Sequence, residues 1–170
     1  GADVGTDRAW TLDRLDGAHR AIRTELGLGQ TILVTAEQVH GKEIVLVDES
    51  PGEDRCFAGA DGLITNQRDV LLGIYVADCC AVFLLDPLRG AIGLVHSGKK
   101  GTELAIAAQA IARMGEHFGS APRDLIVQLS PCIRPPHYEV DFASEIVRPV
   151  RACGVGTVVG WGCCTACGWR

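Results

Sequence analysis

At 170 residues with a formal net charge of −5, the chain has the size of one domain that buries roughly two-thirds of its unfolded surface. Its 47% hydrophobic and 22% charged residues exclude a disordered chain. The lack of a Lys/Arg cluster interleaved with aromatics argues against nucleic acid as a partner, and no apolar run approaches the ~20 residues of a membrane span.

The N-terminus, G-A-D-V-G-T-D-R, lacks the basic and apolar regions of a signal peptide, and a start at Gly1 reads as a fragment or a processed chain. Residues 12–27 predict a helix: Leu12, Leu15, His19, Ile22 and Leu26 recur at three- and four-residue steps, and Gly27 and Gly29 supply the stop. Thr31 to Thr35 is a short β-branched strand. Gly41 breaks the chain after His40, and Glu43 to Val47 resumes as a strand. Residues 48–60, with Pro51, Gly52 and Gly59, read as a polar loop. Strand-like runs follow at Val70 to Val76, Ala81 to Leu85 and Ala91 to Val95. The turn residues of D-P-L-R-G (Asp86 to Gly90) pair the last two as a hairpin, and their unbroken hydrophobicity predicts a sheet covered on both faces.

Residues 101–118 give a helix with an apolar stripe at Leu104, Ala107, Ala108, Ile111, Ala112 and Met114. Leu125 to Leu129 is a buried strand. Ser130 to Val140 is rigid connecting chain running into a short strand. Phe142 to Ala152 is a helix that Pro149 ends or kinks, and Gly156 to Gly160 is the last strand. These elements predict one domain over 1–170: a layered α/β sandwich with a mixed sheet.

The chemistry-bearing residues end apolar runs. His40 precedes E-I-V-L-V, Cys79 follows L-L-G-I-Y-V, and His96 closes A-I-G-L-V. If the three runs pair in one sheet, the ends meet. Cys79 and two imidazoles can then hold one zinc ion with a fourth position open. The competing expectation is structural, since a His or Cys near a strand end is commonly part of a core. H-S-G-K-K-G-T (His96 to Thr102) lies between a strand and a helix. It reads as an anion pocket, in which Gly98 and Gly101 let the backbone approach a ligand and Lys99 and Lys100 add charge, or as a Gly-rich turn with two solvated lysines. Asp61 and Asp78 each read as an orienter of a ligand histidine or a proton acceptor, or else as a turn former and a cap. Cys80, one step from Cys79, points to the opposite face. Cys164-x-x-Cys167, beside Cys163, has the spacing of a zinc knuckle or a redox pair but lacks a second pair. It reads more simply as thiols near a terminus, and His137 as a loop residue. The eight cysteines, without framework spacing, point to a reducing cytoplasm, with thiols and some metal ligands.

Taken together, Q-V-H-G (Gln38 to Gly41), A-D-G-L-I-T (Ala60 to Thr65), A-D-C (Ala77 to Cys79), V-H-S-G-K-K-G-T (Val95 to Thr102) and S-P-C-I…Y-E-V (Ser130 to Val140) resemble the laccase-domain family of bacterial proteins. Its members were named multicopper polyphenol oxidases and are also described as purine nucleoside phosphorylases with adenosine deaminase activity. The resemblance implies an α/β sandwich related to a fold once assigned to cysteine hydrolases. It also implies zinc, or alternatively copper, on His40, Cys79 and His96. The expected substrate- and phosphate-binding residues are Gln38, Ser97, Gly98, Lys99 and Lys100; the expected catalytic ones are Asp78, Cys79 and Lys100. Where the family usually has H-A-G-W-R-G-T, Lys99 and Lys100 replace Trp and Arg, which keeps the charge but loses the planar fork that grips phosphate. The usual first strand and the segment after C-T are absent, so the expectation is that part of the pocket is missing or is supplied by a neighbouring molecule in a homo-oligomer. The leading expectation is a zinc-dependent enzyme phosphorolysing purine nucleosides and deaminating adenosine. Copper-dependent phenol oxidation, a Cys79 hydrolase and a metal-binding non-enzyme are the alternatives.

Overall fold

The computed structural model describes residues 4–160 and 162–167, with side chains from residue 15 onward. The chain divides into two compact units, up to Thr31 and from Ile32 on. The first is helix α1 (Val4–Glu25), which begins eight residues before the expected start and stops two before the expected end. The stop is chemical: Gly27 takes φ +70°, and the N–H of Leu28 donates back to the Arg23 carbonyl at 2.7 Å, closing the last turn as a C-terminal glycine does. Of the expected apolar stripe, Leu15 and His19 are half-buried, whereas Ile22 and Leu26 are exposed. The side chain of Leu12 lies outside the described residues.

The second unit is a layered α/β arrangement containing two sheets rather than one. β1 (Ile32–Glu37), β3 (Arg55–Ala58) and β5 (Val70–Gly73) form a parallel sheet in the order β3-β1-β5. β2 (Ile44–Val47), β4 (Gly62–Thr65), β6 (Cys80–Asp86), β7 (Ala91–Ser97), β8 (Ile126–Leu129) and β9 (Thr157–Gly160) form a sheet in the order β2-β4-β7-β6-β8-β9. This larger sheet is mixed: β2–β4 and β8–β9 are parallel, and the pairs between them antiparallel. The expected hairpin is β6–β7, with Cys80 opposite Ser97 and Asp86 opposite Ala91. Its turn is held by Asp86 Oδ1, which accepts the N–H groups of Leu88 and Arg89 at 2.9 and 3.0 Å.

Four sequence expectations are corrected. The loop at 48–60 contains β3. The run from Val70 ends at Gly73, because Gln38 takes the next stretch out of the ladder. Its Oε1 accepts the Tyr75 N–H at 2.9 Å and its Nε2 donates to the Tyr75 carbonyl at 2.6 Å. Residues 130–140 contain no strand; Cys132 makes an isolated bridge to Cys164 instead. The helix expected at 101–118 is two helices, α2 (Lys99–Glu103) and α3 (Ile106–Phe118), separated by Ala105 in the left-handed region at φ 52°. Gln109 Nε2 takes the Leu104 carbonyl at that break, at 2.6 Å.

α3 buries Ile106, Ala107, Ala110, Ile111 and Met114 against β7 and β4, and also packs on α4 (Phe142–Ala152). Pro149 sits inside α4 without ending it. At the β2–β4 end the larger sheet is covered on both faces: Ile44 and Ile64 enter the core beneath the helices. Val47 and Leu63 enter a second core with Val34, Ala36 and Val70 of the smaller sheet. At the β6–β8 end the outer face is open, and Phe83, Leu85 and Ile126 are 48%, 41% and 37% exposed. Unbroken hydrophobicity therefore overstated the cover there. The chain passes from the smaller sheet to the larger one three times, through residues 38–43, 59–61 and 74–79, and the first and last of these links run beside the end of β7.

Candidate metal centre

His40 lies in the first of those links, Cys79 in the third, and His96 near the end of β7. One ligand atom from each lies within 4.8 Å of the others, and the two imidazoles stand edge to face, 85° apart. His96 is 3% exposed, Cys79 half-buried and His40 exposed. The cluster is closed on the protein side and open on the other, as a site with an exchangeable position requires.

Asp61, fully buried at the start of β4, organises this corner. Its Oδ1 lies 2.8 Å from His96 Nδ1 and accepts the His40 N–H at 2.9 Å. Its Oδ2 accepts the N–H groups of Gly41 at 2.6 Å and Val39 at 3.3 Å. Burial pushes the carboxyl up, but the His96 and backbone hydrogen bonds outweigh it and hold it below its usual 3.8. A carboxylate on Nδ1 leaves Nε2 as the lone-pair nitrogen turned toward Cys79. His40 adopts φ 58°, an uncommon conformation for a residue with a Cβ, and the Asp61 hydrogen bond to its N–H keeps it there.

The Cys79 thiol is pushed above its usual 9.0 by burial, then by the Asp78 carboxylate and Cys132. An ion bound here would have to displace that proton. The donor set, two imidazoles and one thiol, suits zinc or copper. The space suits an ion as well. A Cβ built on Gly98 would lie 2.9 Å from Cys79 Sγ, 3.3 Å from His40 Cδ2 and 3.6 Å from His96 Nε2. Gly98 has an extended backbone (φ −83°, ψ −169°) that any residue can adopt, so its missing side chain matters for room alone. Gly98→Ala is expected to keep the circular dichroism spectrum and to weaken zinc binding by about tenfold or more, as perturbed outer-shell contacts do. Isothermal titration with zinc checks it; wild-type affinity in the variant would mean that the gap is not used.

The family model described as multi-copper polyphenol oxidoreductase laccase matches residues 7–167. The chain belongs to this laccase family. Two curated relatives are named purine nucleoside phosphorylases. One, from Corynebacterium glutamicum, is 34% identical over 127 residues, 75% of this chain and 50% of that protein. The other, from Streptomyces griseus, is 29% identical over 164 residues, 95% and 64% of the respective lengths. The chain therefore spans between half and just under two-thirds of these relatives. Among solved structures, YfiH of Bacillus licheniformis superposes with TM-score 0.79 at 22% identity, covering 88% of this chain and 70% of that one. YlmD of Geobacillus stearothermophilus gives 0.77 at 25%, covering 87% and 69%.

The other residues expected at this laccase-family site are differently engaged. Ser97, buried, shares a hydrogen bond with Thr102 Oγ1 at 2.9 Å. Lys99 is ion-paired to Glu139. Lys100 is exposed on α2, whose N-terminus carries no side-chain cap. The Gln38 amide is taken up at both ends by Tyr75, so it positions main chain. Asp78 is exposed beside Cys79, and its Oδ1 accepts the Thr165 hydroxyl at 2.7 Å. A cavity of about 320 Å³ next to Lys99 is lined by Glu103, Glu139, Asp141 and Glu145, with Thr102. Sequence reasoning left Asp61 open between ligand orienter and turn former; it forms no turn of its own but holds His96 Nδ1 and the backbone of 39–41, and the signal was an Asp-Gly pair opening a fully buried strand. The Lys99–Glu139 and Asp78–Thr165 contacts join positions 40 and 87 residues apart and left no local signal.

Proposed function

We propose that this chain carries the metal centre of a purine nucleoside enzyme, with His40, Cys79 and His96 as zinc ligands. The observation that supports it most is the convergence of two imidazoles and a thiol around the gap at Gly98. The relatives named purine nucleoside phosphorylases supply the substrate class. Zinc in such a site supplies Lewis acidity, making a water molecule or a leaving group reactive near neutral pH. Asp61 fixes the His96 tautomer, and Asp78, exposed at the rim, is the carboxylate positioned to take a proton from the substrate side.

Of the two nucleoside reactions, hydrolytic deamination of adenosine fits these residues better than phosphorolysis. Phosphate needs a positive pocket, yet Glu139 neutralises Lys99 and four carboxylates line the adjoining cavity. Lys100 is left as the anion contact. A thiol-hydrolase role for Cys79 is disfavoured, since its surroundings raise the thiol instead of releasing a thiolate. The zinc-loaded chain, given adenosine or inosine with and without phosphate, is expected to convert adenosine to inosine in both conditions and to cleave inosine slowly. Complete inertness toward both nucleosides with zinc bound would remove the proposal. The family description favours copper and phenols as the second reading. Turnover of a phenol only in the copper-loaded chain would establish it.

A further inference from the structure

A second group of metal-type donors lies in a part of the fold that the first centre does not use. The C-terminal segment runs back along the connection after β8. Cys164 pairs with Cys132 through an isolated parallel backbone β-bridge, both thiols being free, and the Thr165 N–H donates to the Cys132 carbonyl at 3.2 Å. A tight turn then folds the segment on itself, with the Cys167 N–H on the Cys164 carbonyl at 3.2 Å. A matching turn in the connection, His137 N–H on the Arg134 carbonyl at 2.9 Å, presents His137 to the same spot. The result is a His137 ring nitrogen, Cys164 Sγ and Cys167 Sγ all within 4.8 Å of one another, with His137 Nδ1 3.8 Å from Cys164 Sγ. Cys164 is 8% exposed, while His137 and Cys167 are exposed, so the cluster has a buried floor and an open mouth.

We propose that His137, Cys164 and Cys167 form a second metal site, for zinc or a similarly soft ion. Two sulfurs spaced C-x-x-C and one imidazole are the ligand types and spacing that tetrahedral zinc takes, and a donor set richer in sulfur selects softer ions than the first centre does. Zinc–sulfur bonds of about 2.3 Å require ligand atoms closer than 4.8 Å, so binding draws the tail and the connection together. The fourth position, at the mouth, is left to water. Thr165, between the two cysteines, donates its hydroxyl to Asp78 beside Cys79. An ion here would therefore fix the tail across the rim of the first centre.

Native mass spectrometry of the full chain, reduced and equilibrated with zinc, tests the proposal. Two ions per chain are expected for the unaltered sequence. One is expected for His137→Ala, for Cys167→Ser and, through loss of the other centre, for Cys79→Ser. Cys163→Ser serves as the control and is expected to keep two. In the cobalt-substituted chain, Cys167→Ser is expected to remove part of the sulfur-to-cobalt charge-transfer absorbance, while Cys79→Ser leaves absorbance from two thiolates. Cys164→Ser disturbs a buried position, so the two surface variants carry the decision. A single ion in the unaltered chain, or two ions retained in both His137→Ala and Cys167→Ser, would overturn the site.

Discussion

Asp61→Ala is expected to lower the melting temperature of the metal-free chain by about 10 °C and to weaken zinc binding by about 10- to 100-fold. The first effect follows from the acceptors it removes. Three backbone N–H groups, of Val39, His40 and Gly41, depend on this carboxylate, and the residue is wholly buried. A donor left without its acceptor costs about 1–3 kcal/mol when buried; three donors on a partly exposed link fall at the low end, about 4 kcal/mol together, which in a chain of this length converts to a shift of that size. The second effect follows from His96. Without the carboxylate on Nδ1 the ring is free to carry its proton on Nε2, the nitrogen facing Cys79, and loss of such an orienting partner typically costs metal affinity to this extent. Asn is not a rescue, because its amide hydrogens would meet the Gly41 or His40 N–H. Scanning calorimetry of the apo chain and zinc titration measure the two effects separately. A melting temperature within about 2 °C of wild type would show that the 39–41 link does not depend on Asp61.

His40→Gly is expected to move stability and binding in opposite directions. The left-handed backbone of His40 costs a residue with a Cβ about 1 kcal/mol relative to glycine. The imidazole is exposed, so its removal forfeits little buried surface. The apo variant should therefore melt slightly higher than wild type, while zinc affinity falls by about 100-fold or more with the loss of a ligand, beyond what an outer-shell change produces. His40→Ala separates the two contributions: it loses the ligand but keeps the unfavourable conformation, and should show no gain in stability. Strain retained at a position where glycine would relieve it marks a residue kept for what its side chain does. An apo His40→Gly chain that is less stable than His40→Ala would sink this account.

The parts of the fold that were legible are those written in local pattern. The β6–β7 hairpin was readable because D-P-L-R-G carries its own turn chemistry, and α3 because its apolar stripe has the helical period. Strand partnership was not readable. Val70 to Val76 shows the same hydrophobic run whichever sheet it joins, and pattern marks a buried strand without naming its neighbour. The break at Ala105 was hidden too, since an alanine between Leu104 and Ile106 fits a continuous helix by propensity. At the site, donor types stood out as polar residues closing apolar runs, but their engagement did not. Lys99 is a free cation by sequence and a partner of Glu139 in the fold. His137 and the C-x-x-C cysteines, read as loop and terminal residues, converge because a backbone β-bridge between residues 132 and 164 folds the tail back.

The links at 38–43 and 74–79 also constrain the order of assembly. His40 and Cys79 sit on separate links that each leave the parallel sheet for the mixed one, so the three donors meet only when both links lie against the end of β7. Nascent chain would present no competent cage until both links have settled beside β7. If an ion binds these donors, its capture would come late in folding and latch the two links, and its removal would be felt first as hydrogen exchange along residues 38–43 and 74–79.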